Sequence, residues 1–178
     1  MLLSFLPLWE IHPATIHLPI GLLLAGVVLD LYAWWRGRPE LVRIALGLLV
    51  AGVLTGLIAL TTGFLAFFTL PHTHTEEAHR LMFWHFGLQT ASLLVFILAI
   101  LVRWRGRRWA ASALPNAIIA LGTILLIIGA YLGGYLVYRG AAGVDPTLLS
   151  PELRAGHHHA PGEHHDLDSH HHEHEAGG

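Results

Sequence analysis

Residues 41–70 read LVRIALGLLVAGVLTGLIALTTGFLAFFTL, a run in which Arg43 is the only charged side chain. At about 1.5 Å per helical residue, roughly 20 apolar residues cross a hydrocarbon core of about 30 Å. The run is longer than that, so the helix should tilt or protrude toward Pro71, with Phe64, Phe67 and Phe68 near the interface. Three further apolar blocks of spanning length, 14–35, 80–102 and 114–138, are set apart by short charged or proline-containing breaks. The pattern predicts an all-α integral membrane protein. Short connections favour an up-down four-transmembrane-helix bundle, with the first and third spans diagonal and running the same way. Gly52 with Gly56, and Gly129 with Gly133, recur at the spacing that lets backbones approach closely in lipid.

Composition supports this class, with 54% hydrophobic and only 12% charged residues. The absence of cysteine excludes disulfides, thiolate metal sites, iron–sulfur clusters and covalent haem attachment. Every basic residue is Arg, and more than half of the acids lie from Asp145 onward, so nothing suggests nucleic-acid binding. Arg36, Arg38 and Arg43 join the first two spans, and Arg103, Arg105, Arg107 and Arg108 join the last two. The positive-inside rule makes those loops cytoplasmic and both termini periplasmic, with Arg80 and Arg139 as outer exceptions. The opening MLLSFLPLWE has no basic start or small-residue cleavage site and reads as an interfacial segment over 1–12 rather than a removed signal. Pro19 should kink the first helix or mark its true start. The membrane domain is expected over 13–144, followed by a disordered His/Asp/Glu-rich tail over 145–178.

Six histidines precede the tail: His12, His17, His72, His74, His79 and His85. Read by depth, His12 and His79 form an outer layer, while His17 and His85 form a deeper one. Matched imidazoles on parallel diagonal helices suit the axial ligation of haem b, with His17 and His85 as the ligand pair. Gln89 would support His85 from one turn below, and Arg80 and Arg139 would meet the propionates. A bare metal site on the same four imidazoles is the alternative. Asp30 is expected to meet Arg43 or Arg103. In the tail, His157, His158, His159, His164, His165, His170, His171, His172 and His174 alternate with acids, a donor set for Zn²⁺, Ni²⁺ or Cu²⁺.

HPATIHLPIGLLLAGVVLD resembles the HPxxVHFPIAL opening of the bacterial membrane family called domain of unknown function 2231. EEAHRLMFWHFGLQTASLLVF is similar to that family's third helix, and GGYLVYRGAAGV to its GGxLVYxHGxGV close. The likeness covers about residues 10–144. It implies a four-span protein of the bacterial inner membrane and, because members occur fused to cytochrome-type domains, a redox role. By motif, His12, Pro13, His17 and Pro19 match the first signature, His85 the third-helix position, and Gly133, Gly134, Tyr138, Gly140 and Gly143 the last. The family's histidine in YxHG is Arg139 here, and the His-rich tail lies outside the pattern. Three functions remain open: a haem b electron-transfer module working with quinone or a periplasmic cytochrome, a divalent-metal binding or delivery protein, and a non-catalytic subunit of a larger membrane complex. A stand-alone enzyme is not indicated.

Overall fold

The structure, a computed structural model, describes residues 8–69, 76–105, 113–140 and 142–143. Four helices account for nearly all of them: α1 (Leu8–Arg36), α2 (Pro39–Thr69), α3 (Glu76–Arg105) and α4 (Ala113–Tyr138). All four are long and apolar enough to cross a membrane. The polypeptide is therefore a membrane protein with an all-α, four-span architecture. Residues 8–12, set apart in the sequence as an entry segment, are already helical, and α1 runs through both Pro13 and Pro19. Pro19 thus does not mark the start of the helix.

Local chemistry fixes the ends. Gly37 adopts a left-handed φ of 62° that only glycine takes without cost, and Arg38 N–H donates to the Ala33 carbonyl at 2.8 Å. Pro39, lacking an N–H and fixed near helical φ, then opens α2. The resulting turn is tight, and α1 lies against α2 along its length. At the far end of the chain Gly140 abuts Ala78, where an added Cβ would come within 2.8 Å of the alanine methyl. This contact seats the end of α4 on the start of α3.

The closest helix packing joins α1 to α2 and α3 to α4; the two hairpins meet through α2 and α3 and more narrowly through α1 and α4. This is the up-down order, with α1 and α3 diagonal. The interior holds Leu23, Leu49, Leu93, Phe96 and Ile119 beside small residues and the buried polar Asp30, Ser92 and Asn116, while Leu18, Val28, Leu54, Ile58, Leu94 and Ile127 point outward. Such an arrangement suits lipid, which gives apolar side chains no reason to leave it, so close backbone approach and polar contacts hold the helices together. Gly52 lies against Leu23, Gly56 against Leu93, Gly129 against Gln89 and Gly133 against His85, so both glycine pairs serve as contact surfaces. Exposed Trp34, Trp35 and Trp104 near one end of the bundle, and Trp84 and Tyr138 near the other, form the aromatic belts expected at two membrane interfaces.

Candidate functional site

Two polar centres lie inside the bundle. The first is built on His12 of α1 and His85 of α3. Their rings approach edge to face, with centroids 6.4 Å apart and planes at 79°. His12 Nδ1 lies 3.0 Å from the Ala59 carbonyl oxygen in α2, and His85 Nδ1 lies 2.7 Å from that of Gly129 in α4. A carbonyl only accepts, so Nδ1 carries the hydrogen in both rings and, in the neutral tautomer, Nε2 keeps its lone pair. The same lock orients a metal-ligating histidine in many metalloproteins. Each ring also rests on a glycine one turn beyond its carbonyl partner. A Cβ on Gly63 would come within 2.8 Å of His12 Cε1, and one on Gly133 within 2.9 Å of His85 Cε1. Around His12 the network extends through Thr62 Oγ1, 3.4 Å from Nδ1 and 3.1 Å from Thr15 Oγ1.

Of the two histidines at the start of α1, His12 rather than His17 is the one whose ring approaches His85. His17 is exposed on the outside of α1. The reason is azimuth. At about 100° per residue, five residues turn a helix by about 500°, so His12 and His17 point about 140° apart and cannot both face the interior. The six residues from His79 to His85 likewise leave those two side chains about 120° apart. His79 lies instead in an aromatic group, with its ring centroid 5.4 Å from those of Phe67 and Phe83. The four imidazoles therefore do not form one cluster. Among the described residues no group of three or more His, Cys, Asp or Glu side chains is placed to hold an ion.

Gln89 lies one turn below His85 and packs against Gly129. Arg80 and Arg139 are both exposed, and the Arg139 guanidinium lies 5.2 Å from the Tyr135 ring centroid. His72, His74 and all nine tail histidines lie outside the described residues. Ala59, Gly63, Thr15 and Thr62 went unsingled in the sequence. For Ala59 and Gly63 the signal was present as a third small-residue pair, at the same four-residue spacing as Gly129 and Gly133.

The second centre occupies the other end of the bundle. Arg103 of α3 pairs with Asp30 of α1 and donates to Asn116 Oδ1 of α4 at 2.6 Å. Both charged side chains are almost fully buried, at 5% and 2% exposure, so the pair is a desolvated one. Of the two partners expected for Asp30, Arg103 is the one it meets. Arg103 Nε and Asn116 Nδ2 are buried without a hydrogen-bond partner among the described residues.

No curated protein and no solved structure matches the chain significantly. The family described as predicted membrane protein (DUF2231) matches residues 9–146, which takes in all four helices and both polar centres. On that match, the chain belongs to the DUF2231 family of predicted membrane proteins.

Proposed function

We propose that the bundle is a haem b binding electron-transfer module, with His12 and His85 as the two axial ligands. One observation carries the reading: two imidazoles on diagonal helices, each locked through Nδ1 to a backbone carbonyl, stand 6.4 Å apart, and among the described residues no third His, Cys, Asp or Glu joins them. Haem asks only two ligands of the protein, whereas a closed zinc site asks four. This favours haem over the bare metal site. Haem held by His12 and His85 would supply one-electron redox chemistry, for which a membrane quinol and a periplasmic cytochrome are the fitting partner classes. Purified full-length protein made under haem-replete conditions should show a Soret band and split visible bands on reduction. A colourless protein overturns the proposal.

The site's side of the membrane follows from charge. The Arg-bearing ends of the helices are placed in the cytoplasm, so the histidine pair lies near the periplasmic face of a bacterial inner membrane. Reporter fusions check this: a fusion after Gly143 should report a periplasmic location and one at Arg107 a cytoplasmic location. The reverse pattern would invert the topology.

The tail supports a second, separate binding activity, because nine histidines interleaved with acids and free of thiolates suit Zn²⁺, Ni²⁺ or Cu²⁺. Truncation after Val144 should leave the membrane domain intact and remove most of the divalent metal retained after loading. Equal metal content in the full-length and truncated proteins would refute it.

A further inference from the structure

We infer that the bundle is an internal repeat of one helical hairpin and that His12 and His85 are equivalent residues meeting on its twofold axis, so that the site takes a ligand with two equivalent faces, a metal-centred planar group. A shift of 73 residues, the separation of Asp30 and Arg103, lays α3 on α1. It superposes His85 on His12, Phe96 on Leu23, Ile100 on Val27 and Arg103 on Asp30. A second constant shift lays α4 on α2, placing Gly122 on Gly52, Gly129 on Ala59 and Gly133 on Gly63. The contacts repeat with the positions. His12 donates to the carbonyl of Ala59 and rests on Gly63, as His85 donates to that of Gly129 and rests on Gly133. Deeper in the bundle Leu23 fills the notch of Gly52, and Phe96 that of Gly122.

Equivalent residues can touch each other only on the axis that relates them. Two such contacts occur, His12 with His85 and Asp30 with Arg103. They lie eighteen residues apart on each helix, about 27 Å, so the axis follows the helices across the membrane, as in parallel-repeat transporters. At one end the two positions carry opposite charges. This is possible in a single chain, whereas a homodimer would bring two like charges together. At the other end the residues are identical and each is held by a backbone carbonyl and rests on a glycine, which is what a ligand gripped on both faces requires, while the Thr62 hydroxyl adds to the His12 side. The repeat stands on the packing alone; the two-faced ligand rests on the haem reading above.

Two sets of variants in the full-length protein test the two halves of the inference. Gly63→Ala and Gly133→Ala each push a methyl into one imidazole, and should lower the thermal midpoint in detergent by matched amounts of a few degrees. Gly21→Ala and Gly87→Ala, whose added methyls meet nothing, should leave it unchanged or raise it slightly, since alanine is the better helix former. A drop confined to one half overturns the repeat. His12→Met and His85→Met, loaded with haem, should raise the reduction potential equally, because a methionine ligand raises it from whichever side it binds. Unequal potentials alongside equal midpoints overturn the two-faced ligand and keep the repeat. Absence of haem from the wild type removes both the haem reading and the two-faced ligand, while the midpoints still decide the repeat.

Discussion

His12→Ala and His85→Ala should each abolish the low-spin spectrum of the haem-loaded protein, while His17→Ala and His79→Ala leave it unchanged. If these imidazoles hold haem, removing either would take away half of the axial field, and the iron would become high-spin or the haem would be lost. Altering even a residue that merely orients a ligand lowers metal affinity roughly 10–100-fold; removing the ligand itself should exceed that. His17 is exposed on the outside of α1, and His79 is packed between Phe67 and Phe83, so neither can replace a lost ligand without a large rotation of its helix. Optical spectra of the four variants, before and after reduction, check the assignment. An unchanged His12→Ala spectrum would remove His12 from the site, and loss of the spectrum in His17→Ala would restore the depth-based pair.

The class and order of the fold were legible because both rest on length and polarity. Each span is a run of apolar residues bounded by Arg, Pro or Gly, and the Gly37–Pro39 turn is written in residue types that end one helix and begin the next. The site was only half legible. Depth along a helix follows from counting residues, and counting put the right helices together. The direction of a side chain follows from residue number at about 100° per step, and a five-residue separation is enough to turn His17 away from the interior that His12 faces. The seats of the imidazoles were harder to see, since a backbone carbonyl and a missing Cβ leave little trace in a sequence. The pair Ala59 and Gly63 acquires meaning only when it is laid over Gly129 and Gly133. The Asp30–Arg103 pair was readable for a different reason: a lone acid in a lipid-crossing helix must find a cation, and only a few are in reach.

Asp30→Ala should destabilise the bundle by about 3–5 kcal/mol, the usual cost of leaving one member of a buried ion pair without its partner. Arg103 at 5% exposure would then hold its charge with only Asn116 Oδ1 to accept from it, and its Nε already lacks a partner. Arg103→Ala should cost a similar amount, since Asp30 is the more deeply buried of the two. The double replacement Asp30→Leu with Arg103→Leu should recover most of that loss, because once both charges are gone neither must be desolvated and apolar packing can fill the space. The exchange Asp30→Arg with Arg103→Asp should recover less. The two positions are related by the repeat, but Asn116, which supports the arginine on the α4 side, has Leu46 as its counterpart in α2, and a leucine cannot accept a hydrogen bond from a relocated guanidinium. Unfolding midpoints in detergent with increasing denaturant would rank the four variants. Single variants as stable as the wild type would mean that water reaches the pair, and a fully restored charge exchange would mean that Asn116 contributes nothing to holding Arg103.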